Sequence, residues 1–185
     1  MLVFRALEER TPRQPGQICM HSDAFIQDIT LVDLGGGAGI CIWGFRASAQ
    51  GKSNCACVEK GFQRSLGDDA TATLNAIRTF AAALGQCGRR KVGLATPGHV
   101  HITRDEASIL AAVSAAQVDD MDAAGAHLAW LLAGPTPEVL LATVRDIGKA
   151  FARHDMMVVS PDYIQTKSKP LRPKGAPKLS LVATA

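Results

Sequence analysis

The sequence predicts a mainly α fold of the α+β class. We expect a small helical domain with antiparallel-packed helices and a minor β component around residues 25–34 and 90–102. Two observations favour helices: apolar residues recur every three or four positions through most of the chain, and capping residues separate these stretches. A third observation favours the β component, because Ala24–Leu34 is rich in Ile, Thr, Leu and Val.

The composition is that of a folded protein. The chain has 185 residues, 47% of them hydrophobic and 20% charged, which is enough to bury one core without disulfides or a metal. We expect an N-terminal arm (1–23), a single helical domain (24–160) and a basic Pro/Lys-rich tail (161–185). The tail holds five of the 20 basic residues and one of the 17 acidic residues, so nucleic-acid binding is expected only through the tail.

The cysteines and the N-terminus predict a cytoplasmic location. Five cysteines at irregular spacing favour a reducing compartment. The first ten residues carry charges where a signal peptide needs an apolar run, and no run has the roughly 18–20 apolar residues of a membrane span. We therefore expect a soluble protein with no membrane association.

Three segments besides Ala24–Leu34 have β character. Arg89–Ile102 is the best of them, divided by a turn at Pro97-Gly98, and Met156–Val159 is a candidate for a last short strand. Ile40–Ala49 is either the return strand of a hairpin or a helix that opens at the preceding glycines. The helix is favoured because residues 47–50 are poor strand formers.

Two helices are predicted between residues 53 and 88. Ser53 or Asn54 caps the first, which ends before Gly67, and Asp68 or Asp69 begins the second, which ends at Gly85 or Gly88. The residues expected on their buried faces are Val58, Phe62 and Leu66, then Leu74, Ile77, Ala81 and Leu84.

Three more helices are predicted after Thr103. Thr103 and Glu106 form a capping box, Asp119 or Asp120 begins the next helix, and Pro137 takes the first position of the last one. The buried face of the last helix is expected to contain Leu140, Val144, Ile147 and Phe151.

A glycine-rich run follows the first β segment. Residues 31–39 read Leu-Val-Asp-Leu-Gly-Gly-Gly-Ala-Gly, which resembles the first motif of the Rossmann-like S-adenosylmethionine-dependent methyltransferases. The resemblance implies that Gly35, Gly37 and Gly39, after Asp33, pass under the cofactor. It also implies that Glu59 binds the ribose hydroxyls.

His99 and His101 are candidate metal ligands. If this stretch is a strand, both imidazoles project from one face and can share a metal ion. A third ligand would have to come from His127, from Cys87 or from the Cys55/Cys57 pair.

Two further groups of residues are interpreted as structural. The acids at 119, 120 and 122 lack the glycine and the glutamate of a calcium loop, so we expect them to interact with a helix dipole. Cys55 and Cys57 fall in the first turn of a predicted helix, and residues two apart on a helix face different directions. We expect these cysteines to be buried or half-buried small hydrophobes.

No catalytic site is evident, and no cofactor is expected. The favoured function is an adaptor or regulatory role through protein–protein contact, with a homodimer as one possibility. It depends on Trp130, Leu131 and Leu132, which cannot all face one narrow core stripe because consecutive helical positions lie about 100° apart. The alternatives are the methyltransferase-like protein and the metal-binding protein described above.

Overall fold

The computed structural model describes residues 25–161. It contains two strands and six α-helices: β1 (Phe25–Thr30), α1 (Gly35–Ala49), α2 (Ala56–Leu66), α3 (Ala70–Cys87), β2 (His101–Thr103), α4 (Arg104–Gln117), α5 (Met121–Leu132) and α6 (Glu138–Arg153). One turn of 3-10 helix (Gly67–Asp69) joins α2 to α3. The mainly α fold with a minor β component is thus confirmed. The predicted N-terminal arm and basic tail, apart from Pro161, lie outside the described residues.

The two strands form one antiparallel pair. Phe25 pairs with Thr103 and Thr30 pairs with His101, with an irregularity between these two positions. The predicted strand 25–34 ends early, at Thr30, because Asp33 closes a turn. The Asp33 carboxylate accepts hydrogen bonds from the Thr30 amide at 2.8 Å and from the Thr30 hydroxyl at 2.7 Å. These two hydrogen bonds lower the pKa of Asp33.

The β component predicted around residues 90–102 is confirmed, but its strand is short, because only His101 and Ile102 of this range belong to β2. The strand predicted at 156–159 is wrong, because that segment is irregular. In both cases side chains from elsewhere take the place of a partner strand. At the second segment the Gln117 amide group donates to the Met156 carbonyl at 2.9 Å and accepts from the Val158 amide at 2.8 Å.

The predicted helices are confirmed, including the ambiguous segment 40–49, which lies in α1. The predicted stripes of α2, α3 and α6 are all buried. The Thr103 capping box is complete, and Asp120 caps α5 by accepting from the Ala123 amide at 3.0 Å. Pro137 is the cap of α6 rather than its first residue. The cap predicted for α2 is wrong, because the helix is capped by Cys55 and not by Ser53 or Asn54. Local side-chain spacing is therefore sufficient to place these helices, although not every cap residue.

One continuous core joins the helices. Helix α4 packs against α5 and α6, α6 packs against α3, and α3 packs against α1 and α2. The largest apolar side chains in this core are Phe45, Phe62, Phe80 and Phe151, which are fully buried. No helix within residues 25–161 has the length and apolar character that crossing a membrane requires.

Asp69 links the start of α3 to the end of α6. Its carboxylate lies 2.9 Å from Arg153 Nε and 3.0 Å from His154 Nε2. Hydrogen bonding from Arg153, and then from His154, lowers the pKa of Asp69 below its ordinary value of 3.8. The folded state therefore favours the charged carboxylate.

We predict that Asp69→Asn lowers the free energy of unfolding at pH 7 and that this difference disappears in acid. A carboxyl whose pKa is lowered by folding contributes stability above its unfolded pKa, and the contribution is lost as the pH falls through the folded pKa. Urea unfolding of both proteins between pH 7 and pH 2 measures the effect. Asp68→Asn is the matched control, since Asp68 is exposed and forms no ion pair in the described part of the chain. A deficit that is constant down to the lowest pH would contradict the prediction.

Candidate functional site

A buried ion pair lies between α1 and α4. Arg46 and Glu106 are 1% and 0% exposed, and they form two hydrogen bonds: Nε to Oε1 at 2.7 Å and Nη2 to Oε2 at 2.9 Å. The same guanidinium donates to the carbonyls of His99 and His101. This pair was not predicted from the sequence. The available signal was a single arginine within the apolar run 40–49.

Glu106 and Asp105 hold the irregular segment 89–100 in place. Glu106 accepts from the Ala95 amide at 2.9 Å and from the Thr103 amide at 2.9 Å, while Asp105 accepts from the Gly93 amide at 2.6 Å. Backbone groups that would otherwise need a strand partner are satisfied by the first turn of α4. Each of the two Glu106 carboxylate oxygens accepts two hydrogen bonds from protein groups. Its role is therefore to stabilise the structure.

A second ion pair positions Trp130 at the surface. Arg90 contacts Asp105 through two hydrogen bonds, of 2.9 and 3.1 Å, and its guanidinium lies over the Trp130 ring, 4.3 Å from the centroid. The Arg90 Nε also donates to the Trp130 carbonyl at 3.3 Å. Trp130 nevertheless remains 51% exposed, whereas Leu131 and Leu132 are buried. An aromatic ring is thus held rigidly while half of its surface faces solvent.

The ring borders a shallow groove between β1, α4 and α5. The groove has a volume of about 200 Å³. We call the surface formed by the residues that line it the Trp130 face; these residues are Ile26, Arg104, Ala107, Ser108, Ala111, His127 and Trp130. Trp130 and His127 were considered from the sequence, each for a different reason. Their position on one surface with Ile26, about a hundred residues away in the chain, could not be predicted.

The glycine-rich motif begins with a chain turn and continues as the first helical residues of α1. Gly35, Gly37 and Gly39 lie in α1, after Asp33, whose carboxylate closes the preceding turn. A Cβ at Gly37 would overlap the Met157 carbonyl oxygen, so this glycine is required for packing. Glu59 is exposed on α2. The parallel sheet that the resemblance implies is not present in the range 25–161, and the cofactor role of these residues stays a prediction.

His99 and His101 lie close together, but on different structural elements. His101 begins β2, whereas His99 lies in the preceding turn and stacks on Phe25 with ring centroids 4.5 Å apart. The two imidazole centroids are 5.8 Å apart and the rings are tilted by 53°. Among the described residues, no three His, Cys, Asp or Glu side chains converge on one point. Metal binding by this pair stays a prediction.

Two of the acids at 119, 120 and 122 lie at the start of a helix as predicted, because Asp120 caps α5 and Asp122 is in its first turn. Asp119, with a positive φ of 59°, instead lies 3.6 Å from Arg145.

The prediction for Cys55 and Cys57 is wrong, because both are exposed. Cys55 is the N-cap of α2, with an extended ψ of 130°. A residue with this ψ does not continue the helical repeat, so its side chain does not take the direction that helical spacing predicts. The i, i+2 argument applies to two helical residues and therefore fails for a cap.

The class of protein defined by these observations is a small helical domain with an irregular segment held by one buried ion pair, Arg46–Glu106, and one partly exposed pair, Arg90–Asp105. No family model, curated protein or solved structure matches the chain.

Proposed function

We propose that this protein acts by protein–protein contact through the Trp130 face, with a second copy of the chain as the partner. The observation that carries the proposal is the half-exposed Trp130 ring, held between Arg90 and the groove. Tryptophan and arginine are enriched among the residues that dominate binding energy at protein interfaces. A side chain that is already ordered loses little conformational entropy on binding.

The layout of the face favours a two-fold homodimer. The indole and the groove are side by side on one surface, so a two-fold axis beside Trp130 would bring each ring to the groove of the other copy. The floor of the groove is apolar, with Ala107 and Ala111, and its margin is polar, with Arg104, Ser108 and His127. An apolar centre with a polar rim is the usual anatomy of a protein interface. A protein that dimerises through this face would act by protein–protein contact, as an adaptor or a regulatory protein does.

Trp130→Ala is expected to weaken dimerisation at least about 30-fold, which corresponds to roughly 2 kcal/mol for a dominant interface residue. Sedimentation velocity over a range of protein concentrations measures this change. Val139→Ala is the control, because Val139 is 69% exposed on α6 and does not line the groove. Its dimerisation constant is expected to equal that of the parent.

A second measurement reports on the face directly. The chain has two tryptophans, so Trp43→Phe leaves Trp130 as the only indole. Its emission is expected to shift to shorter wavelength as the protein concentration rises, since the ring leaves water on dimerisation. A parent protein that stays monomeric at all concentrations, or a Trp130→Ala variant that dimerises as tightly, would contradict the proposal.

A further inference from the structure

Cys55 and Cys57 differ from the other cysteines of the described range. Cys41 is buried in the core, and burial raises the pKa of its thiol to about 12, which makes it unreactive. Cys87 is exposed at the last position of α3, with no second cysteine beside it in sequence. Within residues 25–161, only Cys55 and Cys57 combine exposure with a neighbouring thiol at the start of a helix.

The two thiols support one another. The neighbouring Cys57 thiol lowers the pKa of Cys55, and the Cys55 thiol raises the pKa of Cys57. Cys55 is the N-cap of α2, where the positive end of the helix dipole favours a thiolate, so it is the expected nucleophile of the pair.

The backbone places the two residues within reach of a disulfide. Ala56, the residue between them, is helical, and a helical residue holds the Cα atoms on its two sides about 5.4 Å apart. This distance is within the range of roughly 4.4–6.8 Å found for disulfides. Exposure leaves the pair open to a substrate.

A groove of about 400 Å³ lies between α2 and α3, one helical turn beyond Cys57. It is lined by Glu59, Lys60, Gln63 and Arg78 above an apolar floor that includes Phe62 and Leu74. Lys60 is three positions from Cys57, which puts it on the adjacent part of the helix surface. A volume of this size suits a small molecule. Two cations, Lys60 and Arg78, line the groove against one anion, Glu59, so its net charge favours a molecule that carries carboxylates. Arg78 is held by hydrogen bonds to Asn75 and to the Ser53 carbonyl, which leaves Lys60 as the freer of the two cations.

We propose that Cys55 and Cys57 form a thiol–disulfide exchange site for small anionic disulfides. The Cys55 thiolate attacks one sulfur of the substrate, its S–S bond breaks, and the first substrate thiolate leaves and takes a proton from water. Cys57 then gives its proton to water and attacks the Cys55 sulfur, which releases the second substrate thiolate. Two electrons pass to the substrate, and the products are a Cys55–Cys57 disulfide and two substrate thiols.

The test treats the reduced full-length protein with glutathione disulfide and maps the products after trypsin digestion with free thiols blocked. Cleavage after Lys52 and Lys60 gives the peptide 53–60, which contains these two cysteines and no others. The parent peptide is expected to lose two hydrogen atoms. Cys57→Ser is expected to accumulate one glutathione on Cys55, and Cys55→Ser is expected to react several-fold more slowly at Cys57. Cys87→Ser, the matched control, is expected to behave as the parent.

Charge selectivity is tested with Lys60→Gln. This variant is expected to react several-fold more slowly with glutathione disulfide and at an unchanged rate with the neutral hydroxyethyl disulfide. Equal slowing with both reagents, or no slowing, would overturn the assignment of the groove. A parent peptide 53–60 that keeps both hydrogens, or that becomes linked to a peptide containing Cys19 or Cys87, would overturn the exchange site.

Discussion

Glu106→Gln is expected to lower the free energy of unfolding by about 3–5 kcal/mol, the typical cost of removing one partner of a buried ion pair. The substitution leaves the Arg46 guanidinium, which is 1% exposed, without a counter-charge. It also replaces one of the two carboxylate oxygens that accept hydrogen bonds from the Ala95 and Thr103 amides. Because small domains have a total stability of roughly 5–15 kcal/mol, the variant is expected to be close to unfolding. Urea unfolding followed by circular dichroism measures the change.

Two further variants separate charge from packing. Glu138→Gln removes an exposed glutamate from the first turn of α6 and is expected to cost at most about 1 kcal/mol. The double variant Arg46→Met/Glu106→Gln is expected to be more stable than Glu106→Gln alone, because it no longer buries an unpaired charge. A Glu106→Gln protein within about 1 kcal/mol of the parent would show that the ion pair does not hold segment 89–100.

Phe151→Ala is expected to lower the free energy of unfolding by about 3–5 kcal/mol, as in other large-to-small substitutions in protein cores. Phe151 is fully buried on α6, and its carbonyl accepts from the Met156 amide at 3.0 Å, where the chain leaves the helix. The expected decrease in melting temperature is roughly 10 °C.

Val139→Ala on the same helix is the control. Val139 is exposed, so its truncation is expected to change stability by no more than about 0.5 kcal/mol. A Phe151→Ala protein that melts within a degree of the parent would contradict the packing of α6 against α3 and α4.

The sequence predicts the helices well because their determinants are local. The capping box of Thr103 and Glu106 involves residues three positions apart, and the stripe from Leu140 to Phe151 depends only on helical spacing. Such signals need no knowledge of the rest of the fold.

The β component was predicted less well because its hydrogen-bond partners are distant. Segment 89–100 has the composition of a strand, but its amides are satisfied by Asp105 and Glu106, and the carbonyl of His99 is satisfied by Arg46. Segment 156–159 is likewise held by Gln117, about forty residues earlier. Strand propensity indicates that a segment is extended and apolar. It does not indicate which group will form hydrogen bonds with the backbone of that segment.

The candidate sites depend on both kinds of information. Trp130 was identified from its position beside Leu131 and Leu132, because a helix cannot bury three consecutive large residues on a narrow face. The groove beside it and the Arg90 guanidinium over the ring come from other parts of the chain. For Cys55 the difference is a single backbone angle, since an extended N-cap residue does not follow the helical spacing from which its burial was predicted.

The amino-acid sequence by itself determined approximately where the helices begin and end and which residues form their buried apolar faces. Neighbours three or four positions apart decide these properties. Only the tertiary structure decided that Arg46 meets Glu106 across sixty positions and that strand-like segments remain irregular. The physical reason is that a buried charge or amide must be paired with whichever group the packing brings to it.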